Sequence, residues 1–133
     1  METGQSRHIL VVDDSATMRM LLVMTLKKMS GDFVIEQAVN GAEAWGKLRE
    51  NAFDLVFTDM QMPEMDGAEL VRLIREEFSK TMPVVIVTTK GEEQDRDYGL
   101  ALGANGYITK PVNSHEIRET VLRYTEGKKV EHD

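Results

Sequence analysis

Four short apolar runs, each ending at a polar side chain, constrain the fold of this chain more than any other feature. The runs and the side chains that follow them are 9–12 with Asp13 and Asp14, 55–58 with Asp59, 84–87 with Thr88, and 106–109 with Lys110. Runs of four or five apolar or β-branched residues between polar turn residues are typical of buried parallel strands. Ligands of an open α/β sheet bind beyond the carboxyl ends of its strands. We therefore predict that three carboxylates, a hydroxyl and an ammonium group meet at one edge.

Strand and helix patterns alternate five times along the chain. Residues 33–38 supply the remaining strand, and helical patterns follow each strand, at 18–29, 41–48, 71–78, 92–102 and 114–125. Asp14 or Ser15 is the expected N-cap of the first helix. This alternation predicts right-handed crossovers with helices on both faces of the sheet. The expected fold is α/β, a doubly wound five-stranded parallel sheet of flavodoxin-like order 2-1-3-4-5.

The fourth helix has the weakest pattern. Residues 91–97 contain no apolar side chain, so only Tyr98, Ala101 and Leu102 remain to dock it. Gly99 lies in its interior, where glycine costs about 1 kcal/mol relative to alanine. We expect a helix that forms but is loosely held, as suits an element that moves.

Length and composition indicate one domain of an ordinary globular class. The 133 residues are interpreted as a domain at 8–126 between flexible ends at 1–7 and 127–133. The net charge of −7 argues against nucleic-acid binding, and the absence of cysteine excludes disulfides and thiol chemistry. No apolar run approaches the roughly 20 residues of a membrane span, and no signal-peptide core is present. A cytoplasmic protein without membrane partners is expected.

The predicted edge is suited to magnesium and phosphate. Strands one and three are neighbours in this order, about 4.8 Å apart, so Asp13, Asp14 and Asp59 crowd together and need a counter-charge. Carboxylate and water oxygens suit Mg²⁺, which usually adds a phosphate oxygen. A carboxylate beside such an ion acts as a nucleophile, and Asp59 is the best candidate for an aspartyl phosphate. Lys110 and the Thr88 hydroxyl are placed to take phosphoryl oxygens.

Each of these elements also has an ordinary structural explanation. Asp-Asp-Ser is often a helix cap, a threonine at a strand end usually packs or caps, and Lys-Pro is usually a turn. The nine methionines are better explained as filling core gaps than as ligands. The functional interpretation depends on all five groups lying at the same end of the sheet.

The same residues occur in the order of a known family. Taken together, Asp13-Asp14-Ser15, the segment 59–67, Val87-Thr88 and the segment 106–111 closely resemble the receiver domain of two-component response regulators. The resemblance covers about residues 8–125, nearly the whole chain. The segment 14–19 and the stand-alone architecture resemble the chemotaxis, CheY-like type.

This resemblance implies roles for the residues at the edge. Asp59 is the implied phospho-acceptor, and Lys110 is the implied phosphate-pairing lysine, with a cis bond to the proline that follows. Asp14, Asp59 and the backbone carbonyl of Gln61 are the implied Mg²⁺ ligands, and Asp13 contributes through a bound water.

The resemblance also implies a switch. Phosphorylation is expected to draw Thr88 toward the phosphoryl group and to turn Tyr107 inward, which remodels the face made by helix four, strand five and helix five. Two features depart from or modify the pattern. Thr89 stands where the family commonly has alanine or glycine, and Gln61 and Lys90 are expected at the rim, where we hypothesise that they tune phosphoryl lifetime.

The implied function is signalling rather than turnover of external substrates. The expected protein is a monomeric response regulator that catalyses its own phosphorylation and slow dephosphorylation. It is phosphorylated by a sensor histidine kinase, and it binds a target such as a flagellar motor switch component. A phosphatase is a further candidate partner. The alternatives are a phosphorelay intermediate that serves a histidine phosphotransfer protein, and a receiver-like binding module that is never phosphorylated.

Overall fold

The structure, a computed structural model, describes residues 7–89 and 93–131 of the chain. Its five strands are β1 (Arg7–Val12), β2 (Phe33–Ala38), β3 (Leu55–Asp59), β4 (Val84–Thr89) and β5 (Gly106–Lys110). They form one sheet in the order β2-β1-β3-β4-β5, and every neighbouring pair is parallel. The predicted doubly wound fold and strand order are therefore confirmed.

Five α-helices connect or follow the strands. They are α1 (Ala16–Met29), α2 (Gly41–Glu50), α3 (Gly67–Leu73), α4 (Glu93–Leu102) and α5 (Ser114–Glu131). Four of them begin at a side-chain cap, where Ser15, Asn40, Asp66 and Asn113 each accept the backbone N–H of the residue three positions further along. Such caps satisfy amide groups that have no partner inside the helix. Ser15, rather than Asp14, is the cap of α1.

Two helices end differently from the sequence prediction. α3 passes into a π-helical turn at Ile74–Phe78, where the backbone hydrogen bonds widen. α5 continues to Glu131, so residues 127–131 are helical, whereas the helical pattern in the sequence ended at Thr125. None of the helices in the described residues combines the length and the apolar character needed to cross a membrane.

The sheet is buried on both faces. Side chains alternate along a strand, so Leu10 and Val12 join one cluster with α2 and α3, while Ile9 and Val11 join another with α1 and α5. The middle strands are consequently apolar except toward their ends, as parallel sheets covered by helices require. This arrangement leaves polar residues of the central strands only at their ends.

α4 docks differently from the prediction. Of residues 93–102, only Gly99 is buried, and Leu102 packs partly against the core. A Cβ at Gly99 would lie 2.6 Å from Ile86 Cδ1, so the glycine permits a close approach of α4 to β4. Tyr98 and Ala101 are exposed, so the prediction that they dock the helix is wrong. The helix is therefore oriented with Gly99, its smallest residue, against the sheet.

Candidate functional site

The register of the sheet brings the polar strand ends to one edge. Val12 lies opposite Thr58 and Asp59 lies opposite Val87, so Asp13, Asp59 and Thr88 follow one another across three neighbouring strands. Lys110 ends β5 and lies opposite Thr89 of β4. The carboxyl edge therefore carries the acids, the hydroxyl and the ammonium group that the sequence placed there.

Asp13 is a buried carboxylate at the end of β1. Only 1% of the residue is exposed, and its Oδ1 accepts the backbone N–H of Ser15 at 2.9 Å. Its Oδ2 is buried without a hydrogen-bond partner. Burial raises the pKa of this carboxyl above its usual value of 3.8, and the negative charge of Asp59 adds to the effect. The side chain is thus held in place with one oxygen left for a cation.

Asp59 is buried at the end of the central strand β3. Its Oδ1 accepts the N–H of Met60 at 2.8 Å, and the N–H of Gln61 also donates to the carboxylate. Burial raises its pKa above 3.8, while Lys110 and the two amides work in the opposite direction. The backbone after β3 therefore fixes one face of this carboxylate.

The loop after β3 folds tightly against Asp59. The N–H of Gly67 donates to the carbonyl of Met60 at 3.0 Å, and a Cβ at Gly67 would lie 2.1 Å from the carbonyl oxygen of Asp59. Only glycine permits this approach of α3 to the end of β3. The segment 59–67 is thus a closed turn that holds the carboxylate at the edge.

Lys110 supplies the positive charge of the site. Its Nζ lies 3.5 Å from Asp13 Oδ2 and 3.4 Å from Asp59 Oδ2, so one ammonium group faces two buried carboxylates. The bond from Lys110 to Pro111 is cis, as the resemblance implied. Within residues 7–89 and 93–131, one lysine faces two buried carboxylates with a third acid nearby, so these groups together carry excess negative charge.

Three carboxylates form a cluster with the donor set of a hard metal ion. Oxygens of Asp13, Asp14 and Asp59 all lie within 4.8 Å of one another, and Asp14 is exposed. Carboxylate oxygens suit Mg²⁺, and an exposed ligand leaves room for the waters that Mg²⁺ keeps. Oδ2 of Asp13 is buried without a hydrogen-bond partner, although it lies 3.5 Å from Lys110 Nζ, and this is a second sign that a cation fits here.

Thr88 and Tyr107 lie on neighbouring strands on the same side of the sheet. Tyr107 is opposite Ile86 and Thr88 is opposite Thr109, two positions further along. Thr88 is buried, whereas Tyr107 is 43% exposed and faces α4, where the Arg96 guanidinium lies 5.1 Å from the centre of its ring. The structure therefore has Tyr107 in an outward position.

Gln61 is exposed at the rim, where it was expected, and Thr89 is also exposed. Gln61 Nε2 donates to Asp95 Oδ2 of α4 at 2.7 Å. Thr89 follows Thr88 and lies beside the end of β5, next to the site lysine. Lys90, the other residue expected at the rim, lies outside the described residues.

Sequence reasoning missed two groups of contacts around the site. Arg19 Nη1 donates to the carbonyl of Asp13 at 2.6 Å and its Nε donates to Gln37, which ties α1 to the ends of β1 and β2. The position of Arg19 one turn after the cap Ser15 was the available signal. The second group consists of the contacts of Asp95 and Arg96 with Gln61 and Tyr107. No sequence pattern predicted these contacts, because both residues lie in a stretch typical of the polar surface of a helix.

Comparisons with known proteins agree with this geometry. Residues 9–122 match the family described as the response regulator receiver domain. The chain is 42% identical over 123 residues to the transcriptional regulatory protein ResD of Bacillus subtilis, covering 92% of this chain and 48% of ResD. It is 39% identical over 129 residues to the transcriptional regulatory protein SrrA of Staphylococcus aureus, covering 95% and 52%. The chain thus spans about half the length of these relatives.

A solved structure shows the same likeness in three dimensions. The chemotaxis response regulator CheY4 of Vibrio cholerae superposes with a TM-score of 0.82 at 31% sequence identity, covering 90% of this chain and 99% of that one. The similarity therefore extends to a chemotaxis protein as well as to transcriptional regulators.

Proposed function

Because this chain belongs to the family of response regulator receiver domains, we propose that Asp59 accepts a phosphoryl group from a phosphohistidine of a sensor kinase. The observation that carries the proposal is the position of the Asp59 carboxylate. It is buried at the end of the central strand, with Lys110 Nζ 3.4 Å away and a second buried carboxylate beside that lysine. Family membership supports a histidine kinase as the donor.

The proposed transfer is a displacement at phosphorus. Oδ2 of Asp59, the oxygen that faces Lys110, attacks the phosphorus atom, an O–P bond forms, and the N–P bond of the phosphohistidine breaks. The imidazole leaves with the bonding electron pair and takes a proton from solvent. Later hydrolysis adds water at phosphorus, restores the carboxylate and releases inorganic phosphate. Positioning and neutralisation of charge supply most of the acceleration in such transfers.

The residues of the site have distinct parts in this reaction. The amides of Met60 and Gln61 orient the Asp59 carboxylate, with Met60 donating to Oδ1, and Oδ2 is the proposed attacking oxygen. Lys110 neutralises the phosphoryl group, and the Thr88 hydroxyl is the candidate to hold another phosphoryl oxygen. Asp13, Asp14, Asp59 and the carbonyl of Gln61 are the proposed holders of Mg²⁺. When bound, this ion supplies the charge that lets acids and phosphate share one site.

The proposed output is a change of surface. Thr88 and Tyr107 are the candidate switch pair, since they lie on the same side of neighbouring strands beside α4. Movement of Thr88 toward the phosphoryl group opens space for Tyr107 to turn inward from its exposed position. The face of α4, β5 and α5 then presents a different surface to its target.

Two targets have support from the comparisons. The structural likeness to a chemotaxis regulator favours direct binding to a motor-switch-type protein, as the sequence analysis expected. The higher identity to two transcriptional regulators favours control of transcription, which the net charge alone weighed against. We place transcriptional control first because both relatives are more similar in sequence, and we keep the chemotaxis target as the second candidate.

A labelling experiment tests the proposed chemistry. The protein is incubated with acetyl phosphate, with and without Mg²⁺, and the added phosphoryl group is counted by intact mass. We expect one group that depends on Mg²⁺, is removed by hydroxylamine as an acyl phosphate is, and is absent from Asp59→Asn. The matched control is Asp32→Asn, which makes the same chemical change at an exposed acid in the α1–β2 turn. Labelling that persists in Asp59→Asn would overturn the assignment.

A further inference from the structure

α4 is fastened to the rest of the domain by polar contacts more than by its apolar side chains. Gly99 is the single buried residue of 93–102, and Tyr98 is 57% exposed. Two consecutive residues of the helix make contacts instead. Asp95 Oδ2 accepts Gln61 Nε2 at 2.7 Å, and the guanidinium of Arg96 lies over the ring of Tyr107. The first contact holds Gln61, two residues after Asp59, and the second holds Tyr107, one member of the proposed switch pair.

The partner of Asp95 is directly connected to the phospho-acceptor. The backbone N–H of Gln61 donates to the Asp59 carboxylate, while its side chain reaches α4. Gln61 therefore contacts both the Asp59 carboxylate and α4. Any change in this turn that moves Gln61 also pulls on Asp95.

The partner of Arg96 is the tyrosine that the proposed switch turns inward. The distance of 5.1 Å from the guanidinium carbon to the ring centre is within the range of a cation–π contact. Arg96 Nε also donates to Asp97 at 3.1 Å, which steadies the guanidinium over the ring. The inward turn in the proposed switch would carry the ring of Tyr107 away from Arg96, so this contact would stabilise the outward state selectively.

We propose that Asp95 and Arg96 form a clasp that holds Gln61 and Tyr107 in the unphosphorylated arrangement and couples them through α4. This clasp is a route from Asp59 to Tyr107 that does not pass through Thr88. It rests on the proposed function, since it assigns a regulation to the same site. Asp95 and Arg96 are positioning residues, because neither contacts the acceptor oxygen.

The clasp has a measurable consequence by linkage. A contact that stabilises only the outward state opposes every ligand that favours the inward state, and the effect is reciprocal. An exposed cation–π contact is worth a factor of about two to five in such an equilibrium. Removing Arg96 should therefore increase affinity for a phosphoryl analogue by about two- to fivefold, without any change at Asp59.

The test uses beryllium trifluoride with Mg²⁺ as the phosphoryl analogue and titration calorimetry as the readout. We expect Arg96→Ala and Asp95→Ala each to lower the Kd for the analogue by about two- to fivefold. Arg96→Lys keeps a cation for the ring and should restore part of the wild-type Kd. Asp95→Asn loses the charge but keeps an oxygen that accepts from Gln61, so it should also remain near wild type.

The controls separate the clasp from simple electrostatics and from loss of helix stability. Glu93→Ala removes an exposed acid from the same first turn of α4, so it should leave the Kd unchanged. In the free protein, the NMR signals of the Tyr107 ring should move toward their analogue-bound positions in Arg96→Ala and should not move in Glu93→Ala. A merely structural role of Arg96 would not produce that directed shift.

Each contrary result has a separate meaning. Unchanged Kd values in both alanine variants overturn the clasp. The same decrease in Glu93→Ala, or in Asp95→Asn, also overturns it, because charge near the site would then be the cause. Failure of the wild-type protein to bind the analogue with Mg²⁺ overturns the proposed function itself, and the coupling with it.

Discussion

Replacing Asp59 by asparagine should stabilise the protein in the absence of metal, although it should abolish phosphorylation. Asp59 repels Asp13 and Asp14 across no more than 4.8 Å, and it attracts Lys110 at 3.4 Å. At an effective dielectric constant of about 20, each repulsion is worth about 3.5 kcal/mol and the attraction about 5 kcal/mol. These charge–charge interactions favour asparagine by about 2 kcal/mol, and solvent around the exposed Asp14 reduces this to about 1 kcal/mol. Burial of the Asp59 carboxylate acts in the same direction.

The direction of the pH dependence follows from the shifted pKa. Burial raises the pKa of Asp59 above 3.8, so the carboxyl is harder to ionise in the folded protein than in the unfolded chain. Its ionisation therefore lowers stability as the pH rises through the folded-state pKa, and costs nothing below pH 3.8. The advantage of Asp59→Asn should therefore increase as the pH rises above 3.8 and should fade as the pH falls toward 3.8.

Urea unfolding in EDTA at pH 7.5 measures this difference, with Asp32→Asn as the control for the same chemical change at an exposed position. Adding Mg²⁺ should stabilise the wild-type protein more than Asp59→Asn, because only the native state with its carboxylates binds the ion. An Asp59→Asn protein that is less stable than wild type in EDTA, or equal to it, would refute the electrostatic argument. An equal gain in Asp32→Asn would do the same.

Two further predictions concern the frame around the site, and urea unfolding measures both. Gly67→Ala should cost about 1–3 kcal/mol because its Cβ meets the Asp59 carbonyl, whereas Gly46→Ala, with no atom within 4 Å, should gain about 1 kcal/mol from helix propensity. A neutral Gly67→Ala would contradict the close approach. Asn105→Ala should cost about 1–3 kcal/mol because its Oδ1 accepts both Val84 N–H and Arg75 Nη2 at 2.8 Å. Asn105→Asp keeps the acceptor and should retain stability, and a loss equal to that of alanine would count against this explanation.

The elements that sequence reasoning located well are those whose signals are local. The second strand has its predicted bounds of Phe33 to Ala38. Two helices begin directly after the capping residues Ser15 and Asn40. Periodicity and capping depend on residues a few positions apart, so the sequence displays them directly. The strand order was also predicted correctly, from the family resemblance together with the alternation of strands and helices.

The features that sequence reasoning missed depend on contacts between distant segments. The docking face of α4 was misassigned because Tyr98 is more apolar than Gly99, yet the fit against Ile86 selected the glycine. The end of α5 was placed too early because the apolar pattern stops at Thr125 while the backbone remains helical. Neither choice is visible in a hydrophobic pattern.

The amino-acid sequence by itself determined which groups this protein brings to its site. Buried strands must end in their polar residues, and parallel strands all end at the same edge, so Asp13, Asp59, Thr88 and Lys110 had to converge. The tertiary structure alone decided how the charges of those groups are paired. Lys110 faces two carboxylates and leaves one oxygen of Asp13 without a hydrogen bond. Such pairings arise from distances between side chains far apart in the chain, and only the packed fold sets those distances.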